Sequence, residues 1–578
     1  MINAQDRVVN IEGKMFKRSG AWFGLFQTGS SFGGVSLYLG TCRGMATVAP
    51  DGNKLINIFP TFGGEKVPFT VEASPSQLSV VTHYGSVRFT FADKQKLIAE
   101  GDSGMGLLFE KTMVQHETVH PRKDAAWEAF FRLTCAVVFK GLEGSEFDFN
   151  DNEMPWDWEN LTSGRIYGRT RASGDGRFTL VMEEFASGGV VRDSYPSYSE
   201  ARASMQADWD AFYGDIPEFV EPYEEKRFDA AYLLWTYLMS PQGSARYPMI
   251  LMFAGHMASQ WQLCQNAVAL QHDIELAIGL LLCPIDRSSP EGQLADMFDD
   301  IKSEALMVKP PVHGWAVKNL MKHHDLLKEC TYEQLEKLYE GMGKWADWFM
   351  EYRDEDEDGL PSVVHCDETG LDDSTLFVNH AHITSPDIGA YLVILFEAVG
   401  DLANLLGKGE AVANAWYKKS KDLLGCLVDI LWNGEYFVGL VPQTREELLS
   451  DNIVHYIPAI LGDRLPKGIL DKLVDDLLDA ERFHSPWGLA SEAMTSDYFK
   501  PSGFGRGCVL PPAMVFICTG LWESSRRDAA VKFAENYCNA LIKADFPFFI
   551  DPKSGQGQYP GCSWTYCAYM ILARMLSS

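Results

Sequence analysis

The sequence predicts a multidomain chain: an N-terminal antiparallel β-sandwich over residues 1–215, then an (α/α)6 toroid barrel over residues 216–578. Three observations carry this. Up to about residue 200 the hydrophobic pattern has a period of two, after it the period is helical, and the helical part divides into about twelve segments. At 578 residues with 46% hydrophobic side chains, the chain is long enough for two sizeable cores.

In the front part, "SVRFTF" sets Val87, Phe89 and Phe91 against Ser86, Arg88 and Thr90, the alternation of a half-buried strand. "LINIF", "LSVVTHY", "LTCAVVF" and "RFTLVMEEF" are similar runs bounded by turn-forming residues. Many short strands with few helical stretches predict packed antiparallel sheets.

Behind residue 200, "LEKLYEGMGKWADWF" places Leu335, Leu338, Met342, Trp345 and Phe349 on one helical face. Thr331 and Gln334 have the spacing of a capping box at its start. Comparable segments are expected near 226–239, 260–283, 294–307, 312–326, 384–406, 409–431, 449–461, 467–480, 507–522, 526–543 and 563–576. No repeat is visible, which argues against a solenoid. Six antiparallel pairs closed into a toroid use this number of helices.

A net charge of −29 disfavours nucleic acid and anionic membranes as partners and suits a neutral substrate such as a sugar. No signal peptide or membrane-length apolar run is evident, and the twelve cysteines lack zinc-ligand spacing, so a cytoplasmic protein with free thiols is expected.

Residues 367–373, "DETGLDD", crowd four carboxylates into one turn. Like charges raise the pKa of the most buried member, as a general acid requires. Upstream, "DEDEDG" sets Asp354, Asp356 and Asp358 at alternate positions before Gly359, which is how a calcium loop begins; its twelfth position is His365, not glutamate.

The ordered segments "ARYPMILMFAGHMASQWQLCQNAVAL", "PPVHGWAV", "RDEDEDGLPSVVHCDETGLDDS", "SPDIGAYL", "SGFGRGCVLPP" and "DPKSGQGQYPGCSWTYCAYMIL" resemble glycoside hydrolase family 63, the glucosidase I and bacterial α-glucosidase group related to trehalases. "ETGLDDS" is the most specific of them. The resemblance implies an inverting glycosidase acting on an α-linked glucoside or small glycoside derivative, with Asp372 as general acid beside Glu368 and Asp373. It requires no cofactor; a structural calcium in the acidic loop, with a further ligand near Ser362, is what some family members carry. The family's base glutamate falls on Phe548, so the expected substitute is Glu492, with Asp545 next. Trp261, Gln262, Trp315, Arg506 and Trp564 occupy the family's sugar-site segments. The alternative expectation, because of Phe548, is a non-hydrolytic carbohydrate-active protein on the same fold: a lyase, isomerase or sugar binder. Oligomeric state is not legible.

Overall fold

The computed structural model describes residues 7–29, 35–44, 53–131, 134–149, 156–157, 159, 162–255 and 257–578. Two antiparallel sheets form the front. In spatial order one runs Met15–Phe16, Phe23–Gly29, Val35–Thr41, Lys54–Phe62, Met105–Thr112, Arg165–Arg171 and Glu146–Phe149, with Glu65–Lys66 paired to Lys54–Phe62. The other runs Thr118–Pro121, Trp127–Phe131, Cys135–Leu142, Phe178–Phe185, Lys96–Gly101, Ser86–Phe91, Gln77–Val81 and Thr70–Ser74. The sheets meet through aromatic rings. Phe139 of the second lies 5.4 Å from Phe109 and 5.0 Å from Phe147 of the first. Strand Ser86–Phe91 buries Val87, Phe89 and Phe91, as its alternation predicts.

The strands of the two large sheets end at Phe185, and helix α1 (Tyr198–Asp215) follows, its start fixed by a Ser197–Glu200 capping box. It packs on strand Ser86–Phe91 and on α2 (Arg227–Tyr237), with the buried Trp209 ring 5.2 Å from Phe228.

The remaining helices are α3 (Gln260–Ala269), α4 (Ile274–Ile285), α5 (His313–His323), a single turn α6 (Leu326–Glu329), α7 (Tyr332–Tyr352), α8 (Pro386–Leu405), α9 (Glu410–Leu431), α10 (Lys467–Leu477), α11 (Pro511–Trp522), α12 (Arg527–Ala544) and α13 (Ser563–Leu576). A 3₁₀ segment, Ile453–Arg464, holds Pro458 inside it. Each of α3, α5, α8, this segment, α11 and α13 packs on the next, and α13 closes back on α3. Outside that ring stand α4, α7, α9, α10, α12 and α2. The result is an (α/α)6 toroid. Helix α8 is apolar and long enough to cross a membrane, yet it is an inner helix, largely buried.

Three expected helices differ, 449–461 being the 3₁₀ segment Ile453–Arg464. The run 260–283 is two helices, because Asp273 accepts the Leu276 N–H (3.0 Å) and starts α4 afresh. The run 294–307 is a hairpin, Met297–Phe298 against Ser303–Glu304. Asp299 turns the chain there by accepting the N–H groups of Ile301 (2.6 Å) and Lys302 (2.9 Å). The sandwich grips this hairpin. Buried Arg43 is bonded to Glu184 of the second sheet and to Asp300 of the hairpin (2.9 Å).

Candidate active site

The loops that lead into the inner helices gather at one mouth of the toroid. Cys366–Thr369 form one 3₁₀ turn, ended by Gly370 in the left-handed region (φ 72°). Only glycine fits, since a Cβ there would come within 2.6 Å of Cζ2 of Trp261. The acidic turn therefore rests on the Trp261 indole.

The turn sorts its carboxylates. Glu368 points inward, fully buried, paired with both Arg353 Nη atoms (2.9 and 2.8 Å) and accepting the Val364 (2.9 Å) and Val308 (3.3 Å) N–H groups. It is thus a support for the turn, sealed from any substrate, which corrects its expected place in the sugar site. Asp373 accepts the Gly505 N–H, and the Arg506 Nε donates to the Asp373 carbonyl (2.8 Å).

Asp372 and Asp367 face each other and hydrogen-bond. Asp372 keeps 53% of its side-chain surface open, so it is not sealed in the core. Crowding by protein atoms, then the Asp367 contact and the Asp367 and Asp296 charges, push its carboxyl up to about 7 against the pull of Lys309. The expected neighbours, Glu368 and Asp373, are not the cause: Arg353 neutralises the first, and the second turns toward Gly505.

Lys309 arrives from the segment before α5. Its Nζ lies 2.9 Å from Asp367 Oδ1, 2.6 Å from the Asp367 carbonyl, and 3.8 Å from both Asp372 and Asp296. Burial opposes its charge, but the three carboxylates outweigh burial and raise its pKa. Burial opposes ionisation of Asp367 too, yet the Asp372 contact and the ammonium hold it below its ordinary range. Asp296, at the start of the hairpin, is buried and pushed up to about 7. Neither Lys309 nor Asp296 was singled out from sequence. Residues 296 and 309 come from loops separate from the acidic run, which alone, through Asp367, offered a signal.

From Trp261, on which the acidic turn rests, an aromatic cluster extends. Trp261 meets Trp564 edge-on (5.0 Å), Trp564 stacks near Phe548 (6.1 Å), and Phe548 touches Phe253 (5.5 Å) and Phe504 (5.8 Å). Phe504 precedes Gly505, whose N–H holds Asp373, so contacts run around the rim back to the acidic turn. Trp261 and Trp564 are themselves 2% and 5% exposed; they carry the cluster from behind, and the half-buried Phe253, Phe504 and Phe548 form more of its face.

Three expected site residues lie elsewhere. Gln262 is fully buried and bonds Ser563 between α3 and α13. Trp315 is core: its Nε1 donates to Thr519 (2.9 Å), and it borders a cavity of about 410 Å³ shared with Lys318 and Glu523 at the helices' far ends. Glu492 is fully buried and already accepts from Thr375 (2.7 Å), Asn452 (2.9 Å) and Ser496 (2.6 Å). A base must meet water, and this carboxylate is enclosed by three donors. The alternative, Asp545, sits at the end of α12 and bonds Lys226 (3.0 Å). Phe548 stands where a base is expected and cannot accept a proton.

In the acidic loop, carboxylate oxygens of Asp354, Asp356 and Asp358 lie within 4.8 Å of one another, and Asp354 Oδ1 is buried without a partner. That donor set suits a hard cation. Arg445 contacts Asp358 and lies 3.5 Å from Asp356, so it shares the loop's charge. Ser362 is not part of the group; its hydroxyl donates to the Arg353 carbonyl (3.0 Å).

Residues 285–566 match the family model described as mannosylglycerate hydrolase MGH1-like glycoside hydrolase domain. The helical half is thus similar to an MGH1-like glycoside hydrolase domain. The chain is a glycosidase that resembles family 63, and its substrate is a carbohydrate. The GH63 mannosylglycerate hydrolase from Thermus thermophilus, solved in complex with glucose, is 18% identical with a TM-score of 0.51 over 61% of this chain and 99% of that one. An uncharacterized conserved protein from the same organism gives 18% identity and a TM-score of 0.52, over 61% and 99% of the two chains. The GH92 family glycosyl hydrolase ccman5 is 10% identical, with a TM-score of 0.58 over 98% of this chain and 86% of that one. The last alignment includes the sandwich as well as the toroid. At these identities the likeness is one of fold. No curated protein matches the chain.

Proposed function

We propose that this glycosidase cleaves an α-linked glucoside, or a small glycoside derivative, at the toroid mouth, with Asp372 protonating the departing oxygen. One observation carries the reading: a half-open carboxyl pushed up to about 7, on a turn that rests against an aromatic cluster. A glycosidic oxygen leaves poorly as an alkoxide, and a positioned acid of raised pKa supplies the proton as the bond breaks. The carboxylate left on Asp372 lies 3.8 Å from the Lys309 ammonium, which stabilises it. Phe548 and Phe253 offer flat apolar faces to the C–H surface of a sugar ring, and Arg506, part-exposed beside Asp373, reaches toward its hydroxyls.

Inverting hydrolysis also needs a base across the bond, roughly 6.5–9.5 Å from the acid. Phe548 favours a second reading on that ground: the same mouth binding sugar, or eliminating or isomerising it, without activating water. Incubation with a panel of α-glucosides and α-mannosides, followed by ¹H NMR of the anomeric protons, separates the two. Release of a reducing sugar that first appears as the β-anomer supports inverting hydrolysis. Binding without any released reducing end supports the second reading.

We also propose a structural calcium held by Asp354, Asp356 and Asp358, which would tie the end of α7 to the strand leading to the acidic turn.

A further inference from the structure

We propose that Asp367 and Lys309 are positioning residues for the proton of Asp372: Asp367 holds it there, while Lys309 keeps Asp367 the anion and eases release of the proton, so that the three side chains act as one proton-handling unit. The proposal rests on the reading of Asp372 as proton donor. Two carboxyls that hydrogen-bond to each other must share a proton, since two carboxylates offer only acceptors. Lys309 decides which of them keeps it. Its ammonium is 2.9 Å from Asp367 and 3.8 Å from Asp372, so Asp367 is the anion and Asp372 the donor. Exposure alone would favour the anion on the more open Asp372 (53% against 19% for Asp367), so it is the closer ammonium that fixes the charge on Asp367 and leaves the proton on the member a substrate can reach. Lys309 itself is fixed by a second bond, to the Asp367 carbonyl (2.6 Å), and by Asp296 on its other side (3.8 Å).

The other charged groups around the turn are already engaged. Glu368 is paired with Arg353, and Asp373 with the Gly505 N–H and, at 4.0 Å, Arg506. The Cys366 thiol donates to the Asp372 carbonyl (2.6 Å), and His365 acts on Asp367. In the reaction the proton passes from Asp372 to the glycosidic oxygen as the C–O bond breaks. Asp372 becomes a carboxylate near Lys309, and solvent returns the proton once product has left.

The two supports act with opposite sign. Removing the cation disfavours the Asp372 anion, so its titration moves to higher pH. Removing the Asp367 charge and acceptor favours that anion, so its titration moves to lower pH. The test is ¹³C NMR of the full chain labelled at aspartate carboxyls, the Asp372 signal being identified by its loss in Asp372→Asn. Lys309→Met is expected to shift its midpoint up by about one pH unit or more, and Asp367→Asn down by a similar amount. If Lys309→Met does not fold, Asp367→Asn decides alone. A midpoint that stays put or rises in Asp367→Asn overturns the proposal, as do shifts of one sign in both variants. With an active substrate, the alkaline limb of kcat/KM should follow the same two directions, because activity falls as pH rises through the Asp372 midpoint. Opposite NMR shifts without any Asp372-dependent cleavage would leave the proton-handling unit standing and remove the reading of Asp372 as donor. Asp372-dependent cleavage without the shifts would do the reverse.

Discussion

Gly370→Ala isolates the contact on which the acidic turn is built. Two costs combine. An L-residue held at φ 72° is strained by about 1–2 kcal/mol. The added Cβ, within 2.6 Å of the Trp261 ring, also forces the indole or the turn to move, at about 1–3 kcal/mol for a packed interior. The expected loss is about 2–5 kcal/mol. Gly407→Ala is the control: its φ is 66°, nothing lies within 4 Å of its Cβ, and only the strain applies, about 1–2 kcal/mol. Urea unfolding followed by circular dichroism ranks the two, and Trp fluorescence reports movement of the Trp261 indole. The reasoning is refuted if Gly370→Ala unfolds together with Gly407→Ala and leaves the fluorescence unchanged.

Arg353→Met strands the buried Glu368 carboxylate and should cost about 3–5 kcal/mol, read as a lower urea midpoint; Arg353→Lys should recover part of it. In Glu492→Gln the amide NH2 must face either the Ser496 hydroxyl or the Thr375 hydroxyl with the Asn452 amide donor, so stability should drop by about 1–3 kcal/mol while turnover on any active glycoside stays within about tenfold. Lost turnover with unchanged unfolding would instead make Glu492 the base. Removing calcium with a chelator should lower the melting temperature and added Ca²⁺ should restore it; Asp354→Asn with Asp356→Asn should abolish that response, and a wild type indifferent to both would exclude the ion.

Periodicity carried most of the fold. The alternation in Ser86–Phe91 and the capped apolar face of α7 are local properties, and both elements form where the pattern places them. The hairpin at Met297–Phe298 was read as helix because its reversal depends on one side chain, Asp299, capping a turn between apolar residues. The acid was legible through a motif; the groups that hold its proton were not. Asp367 sits five residues from Asp372, and the 3₁₀ turn with left-handed Gly370 is what brings them face to face. Lys309 and Asp296 reach the site only through the toroid's closure. The aromatic positions show the opposite limit. Trp315 and Gln262 lie in segments that resemble sugar-site loops, yet helix rotation points the first at Thr519 and the second at Ser563.

The most direct test of the account is the leaving-group dependence of Asp372→Asn. The amide keeps the shape of the side chain and removes its transferable proton. Glycosides with alkyl or sugar leaving groups need that proton, and their turnover should fall about 10²–10⁴-fold. Aryl glycosides with acidic phenol leaving groups should lose far less, and the alkaline limb of the pH profile, set in the wild type by a carboxyl of about 7, should vanish with them. Equal losses on both substrate classes, or an alkaline limb that persists in the variant, would contradict Asp372 as the proton donor.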